Sequence, residues 1–176
     1  MPSQVAYYSD ATDRILKYLE GGLGSQFKRY FEGDPVHIPV SLMPAVCVMK
    51  LSGKTRPSAT GTNDLDETIL VKLVYNKADD YGANIEADDV DFTERKMRRL
   101  VSGRDPATGQ YLAGSVFGIL ANHFTLGDVI VGMDVTDEYD INYRPTAANP
   151  ASELMMTSEA YITVNLRMRV LVPNRD

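Results

Sequence analysis

Ala160-Tyr161-Ile162-Thr163-Val164-Asn165-Leu166-Arg167-Met168-Arg169-Val170-Leu171-Val172 is the most regular stretch of the chain. Ala160, Ile162, Val164, Leu166, Met168, Val170 and Val172 fall on one face of a strand, with Tyr161, Thr163, Asn165, Arg167 and Arg169 on the other. Upstream, Val129, Val131, Met133 and Val135 alternate with less apolar neighbours, and Tyr139, Ile141 and Tyr143 carry the alternation on, so a partner strand is expected over Val129–Tyr143. Pro145 and Pro150 mark Asn142–Met156 as the loop between them.

Two helices precede this pair. Met97, Leu100 and Val101 form an apolar stripe for a helix over Phe92–Ser102, whose start is preceded by the acidic stretch Asp79–Asp91 and whose body carries Arg95, Lys96, Arg98 and Arg99, a polarity that suits the helix dipole. Gly103–Gly109, with Pro106, interrupts. Leu112, Val116, Ile119 and Leu120 then fall at helical spacing over Gln110–Phe124, weakened by Gly114 and Gly118.

Nearer the start, Glu67–Asn76 reads as a strand with Ile69, Val71, Leu73 and Tyr75 on one face and Leu70, Lys72 and Val74 on the other, and the apolar run Ala45–Leu51 as its buried neighbour. Ser52–Asp66, rich in Gly, Thr and charge, reads as a long loop of the hairpin they form. Gly33–Pro44 carries three prolines and is expected to be extended and irregular. The first element is a helix over Asp10–Leu19 with Ser9 as N-cap, Ile15, Leu16 and Leu19 on its buried face, and Gly21-Gly22 as its stop. The order helix, two strands, two helices, two strands implies an α+β fold: a largely antiparallel β-sheet with one N-terminal helix and two helices inserted between strand pairs.

The 176 residues suit one domain, 1–176. The hydrophobic share of 44% and charged share of 24% are ordinary globular values. A net charge of −6 opposes binding to nucleic acid through phosphate neutralisation. No run reaches the roughly 20 apolar residues of a membrane helix, and Met1-Pro2-Ser3-Gln4 lacks the features of a secretory signal, so no membrane partner and a cytoplasmic site of synthesis are expected.

Catalytic signatures are lacking. His37 and His123 are the only histidines; the first sits in the proline-marked Pro35–Pro39, and the second reads as a cation at a helix C-terminus. Cys47, flanked by Val46 and Val48, reads as a core thiol. Gly53-Lys54-Thr55 lacks the earlier glycine of a phosphate loop, and Gly22-Leu23-Gly24 follows a helix where a dinucleotide signature follows a strand. Asp88-Asp89-Asp91 and Asp134-Asp137-Glu138-Asp140 miss the spacing of a calcium loop, and neither a metal nor any other cofactor is expected. Arg95, Lys96, Arg98 and Arg99, with Arg104 nearby, fit a solvated helix face, an arginine-rich subunit contact or a phosphate contact.

The order of elements resembles the tail terminator (tail completion) proteins of long-tailed bacteriophages. The shared features are an amphipathic first helix like Asp10–Leu19, a proline-marked entry like Ile38–Val46, a polar hairpin before a strand like Glu67–Tyr75, helices like Phe92–Ser102 and Gln110–Phe124, and final strands like Val129–Tyr143 and Ala160–Val172. The resemblance implies a virion structural protein, not an enzyme, made in the host cytoplasm and placed in the tail or neck. It implies a homohexameric ring that caps the tail tube, stops its polymerisation and offers a docking surface to the head connector, while DNA passes through without specific binding. Another head–tail connector or stopper protein is the alternative; a small enzyme of unrecognised type and a small-ligand or peptide-binding module are readings of other classes. Six chains would carry 36 net negative charges, six per chain, a repulsive wall for passing DNA. Asp134, Asp137, Glu138 and Asp140, with the Ser52–Asp66 loop, are the candidate lumen-facing groups. Arg95, Arg98, Arg99, Arg104, Tyr161, Arg167 and Arg169 are the candidate subunit or partner contacts.

Overall fold

A computed structural model describes residues 7–57, 62–76, 92–127, 130–149 and 152–171. In chain order the elements are helix α1 (Tyr7–Leu23), strands β1 (Arg29–Glu32), β2 (Ala45–Pro57) and β3 (Thr62–Asn76), helices α2 (Phe92–Ser102) and α3 (Val116–Asn122), and strands β4 (Gly132–Asn149) and β5 (Ser152–Leu171). The fold is α+β. One five-stranded sheet has the order β1-β2-β3-β5-β4, in which β1 pairs parallel to β2 and every other pairing is antiparallel.

Side-chain alternation along β3 and β5 sets the two faces of the sheet. Ile69, Val71 and Leu73 of β3 and Ile162, Val164 and Leu166 of β5 share a buried face with Val46 and Val48 of β2. Ile15, Leu19 and Leu23 of α1, Met97 and Val101 of α2, and Val116, Phe117 and Leu120 of α3 close over that face as one core. A smaller apolar cluster lies on the opposite face, where Ile38 and Met43 of the Gly33–Pro44 crossing cover Ala45, Cys47 and Val74. The crossing is irregular as expected, apart from a single 3-10 turn at Val40–Leu42.

The helix over Phe92–Ser102 and the two faces of Glu67–Asn76 stand as the sequence indicates. Other boundaries differ. α1 begins at Tyr7 and continues to Leu23, so Ser9 is inside the helix and not its cap. Gly21-Gly22 does not end it; a Cβ at Gly22 would run into Ile119 of α3, so this glycine lets the two helices approach. α3 starts at Val116, not Gln110: Tyr111 bridges back to Arg104, and Ser115 caps the helix by accepting a hydrogen bond from the Gly118 amide at 3.1 Å.

Both long loops expected from the sequence are largely strand. Within Ser52–Asp66, pairing continues from Ser52 opposite Thr68 to Pro57 opposite Asn63. The segment Leu51–Pro57 is exposed throughout, so it has no buried face to impose an apolar rhythm. Within Asn142–Met156, β4 and β5 stay paired as far as Asn149 opposite Ser152. Pro145 is accommodated because β4 is an edge strand, where a missing N–H leaves no inner ladder unsatisfied. β1 is a strand that the sequence reading lacks altogether; four residues are too few for an alternation signal. The acidic stretch Asp79–Asp91, including Asp88-Asp89-Asp91, and Val129 and Val172 at the ends of the two expected final strands lie outside the described residues.

Gly118 gives a direct check on this packing. A Cβ there would run into the Leu112 carbonyl, so Gly118→Ala is expected to destabilise the protein by about 1–3 kcal/mol although alanine favours helix by about 1 kcal/mol elsewhere. Urea unfolding of the two proteins measures the difference.

Candidate interaction surfaces

The seven residues expected to make contacts are divided between the two faces of the sheet. Arg95, Arg98 and Arg99 are exposed on α2, opposite the buried Met97, Leu100 and Val101, and α2 packs on the helix-covered face. Lys96 between them lies over the Tyr75 ring, its Nζ 4.6 Å from the centroid. Arg104 belongs to the α2–α3 connection: its guanidinium sits 4.8 Å over the Tyr111 ring and donates to the Tyr111 hydroxyl at 3.1 Å. Asp105 beside it accepts from the Ala107 and Thr108 amides at 2.7 and 3.0 Å, and these bonds hold its carboxyl below the usual range.

Tyr161, Arg167 and Arg169 occupy the other face. Arg167 meets Asp66 at 3.1 Å and Arg169 meets Asp64 at 3.3 Å across the β3–β5 ladder, while Arg56 of β2 reaches Asp66 at 3.1 Å. The three arginine side chains keep 59–62% exposure, so these pairs steer the side chains more than they stabilise the sheet. Tyr161 is half-buried and donates to Glu159. Lys72, only 14% exposed at its side chain, sits among Asp34 at 3.4 Å, Glu159 at 3.9 Å and the Tyr161 ring at 5.8 Å. Tyr161 is therefore tied into a polar cluster of the sheet.

Of the expected lumen-facing acids, Asp134 is exposed near the start of β4. Asp137 and Glu138 fall in the irregular stretch between Val135 and Tyr139 where register with β5 shifts, and Asp140 stands opposite Tyr161. All four therefore lie on one edge strand.

The residues weighed for chemistry take structural positions. His123 is the C-cap residue of α3, and its ring stacks on Tyr18 at 3.8 Å, joining α3 to α1. His37 is exposed in the crossing. Gly53-Lys54-Thr55 is strand, and Gly53 leaves room for Lys50 to pass and pair with the buried Glu67. Cys47 is fully buried, and that burial pushes its thiol from 9.0 up to about 11 despite the opposing pull of Lys72. No helix among the described residues is long and apolar enough to cross a membrane.

Two features emerge only from the fold. Phe124 and Val131 are 52% and 53% exposed beside the start of β4. With Asp66, Asp134 and Arg167 they line a cleft of ≈ 470 Å³. The second feature is the free edge of β2: β1 pairs only with Ala45–Val48, leaving Met49–Pro57 with a strand on one side alone among the described residues. A scan of protein-family models and a search of curated proteins find no match to the chain.

Native protein is expected to resist thiol reagents at pH 8, while urea-unfolded protein reacts with one equivalent through Cys47. Between pH 9 and 11 the folded state keeps the Cys47 proton that the unfolded chain releases, so stability falls as pH rises through that window. Cys47→Val flattens that part of a pH–stability profile measured by urea unfolding.

Proposed function

We propose that this chain is a virion structural protein of a long-tailed phage that caps the tail tube as a ring of six copies, ends tube polymerisation and receives the head connector. The observation that carries the reading is the architecture. A single sheet covered on one face by three helices ends in two long paired hairpins, and among the described residues no strand pairs with Met49–Pro57 of β2 or with β4 on their outer sides. Open edges of this length are an aggregation hazard in a solitary domain, but they serve a subunit whose neighbours cover them. The net charge of −6 per chain agrees with a channel that lets DNA slide past without adhering.

The reading assigns no catalysis to the chain. His123 is occupied in packing α3 on α1, and Cys47 is held neutral in the core. An assembly role places the demand on surfaces that fit a repeated partner.

Cosedimentation with polymerised tail tube tests the proposal. The chain is expected to pellet with tubes in an amount that tracks the number of tube ends, and to block elongation when soluble tube protein is added. Binding in proportion to tube length, or binding to portal assemblies and not to tubes, would favour a connector in place of a terminator.

A further inference from the structure

The two faces of the sheet are covered very unequally. Three helices seal one face in a single large cluster, whereas on the other the buried cover over Ala45, Cys47 and Val74 is Ile38 and Met43, with Leu42 partly buried beside them. The rest of the Gly33–Pro44 crossing turns outward: Asp34, Val36, His37, Pro39, Val40 and Ser41 are exposed, Val36 completely. Its main-chain ties to the sheet lie at its two ends, where the Gly33 amide donates to the Val48 carbonyl at 2.7 Å and the Lys28 amide to the Pro44 carbonyl at 2.8 Å. The 3-10 turn is bonded only within itself, Leu42 to Pro39 and Met43 to Val40. Among the described residues no main-chain hydrogen bond reaches residues 34–38, and one side-chain pair holds that stretch down, Lys72 of β3 with Asp34 at 3.4 Å.

We infer that residues 34–43 form a hinged cover, latched by the Asp34–Lys72 pair, that lifts from the sheet while the rest of the fold stays intact and so uncovers Ala45, Cys47 and Val74. A segment with two buried side chains, exposed main chain and no ladder bonds opens at far lower cost than the helix-covered core or the β3–β5 pairing. Gly33, at φ 99°, supplies a pivot at one end in a region of backbone space that glycine adopts without strain. Lifting does not strand the other half of the latch, because Lys72 keeps Glu159 at 3.9 Å and the Tyr161 ring at 5.8 Å. The lifted state presents an apolar strip, flanked by Phe31 and Met49, on the face opposite the helices. The inference does not depend on the ring reading.

Cys47, the only cysteine, lies under the cover and reports its position. The full chain is mixed at pH 8 with excess dithiobis(nitrobenzoate), and the rate of reaction is followed through a urea series below the unfolding transition. Far-UV circular dichroism checks that each variant is folded. A slow reaction is expected whose rate scarcely responds to low urea, since lifting exposes little surface, and then climbs as global unfolding takes over. Asp34→Asn is expected to raise the rate without urea about two- to five-fold, and Ile38→Ala roughly tenfold or more. Ile162→Val weakens the core on the helix-covered side. It is expected to lower the urea midpoint yet leave the rate without urea unchanged, because the lifted state retains that core.

The cover is overturned if the rate without urea rises with Ile162→Val in step with the loss of global stability, or if Ile38→Ala leaves it unmoved. A rate raised by Ile38→Ala but not by Asp34→Asn overturns the Asp34–Lys72 latch.

Discussion

The antiparallel ladder between β3 and β5 holds the molecule together. It runs without a break from Thr62 opposite Leu171 to Asn76 opposite Thr157, joining segments separated in the chain by α2, α3 and β4. The β2–β3 and β4–β5 hairpins are each local in sequence, and only this pairing makes them one sheet. Its register also decides which residues meet the helices, since a slip of one residue would move Val71 and Ile162 out of the core and bring Lys72 and Tyr161 in. Contacts this distant carry a large loop-closure cost, so the ladder is expected to form late and cooperatively.

Once the ladder is fixed, the remaining elements have defined tasks. α1, α2 and α3 cover one face, and the Gly33–Pro44 crossing covers part of the other. The glycines at 22 and 118 act as contact points, the first against Ile119 and the second against the Leu112 carbonyl. Left uncovered among the described residues are a polar face braced by Asp64, Asp66, Arg56, Arg167 and Arg169, and the outer sides of Met49–Pro57 and of β4.

Most parts legible in the sequence have one buried face; Ala45–Val48, buried on both, is legible instead as a short continuous apolar run. Ile69, Val71, Leu73 and Tyr75, the alternation through β5, and the Met97-Leu100-Val101 stripe each leave a periodic trace because water is on one side and core on the other. Leu51–Pro57 leaves none, being exposed on both faces, and Pro145 reads as a loop signal until β4 is known to be an edge. The candidate contact residues were legible as residue types but not as surfaces. Arg95, Arg98 and Arg99 are separated by the sheet from Arg167 and Arg169, and Arg104 is engaged with Tyr111. The acids of β4 and the bases of β2 become opposing edges only through strand order, a property of topology that local spacing does not encode.

A virion ring subunit would use these features together: a rigid covered sheet for shape, open edges for its neighbours, and negative charge toward passing DNA. The most direct measurement is the solution mass of the purified protein by light scattering across a concentration series, with negative-stain imaging of the same samples. The ring reading predicts a species near 117 kDa, six times the 19.5 kDa chain, visible as closed rings with a central hole. A uniform 19.5 kDa species at every concentration, unchanged by added tail tube, would contradict it.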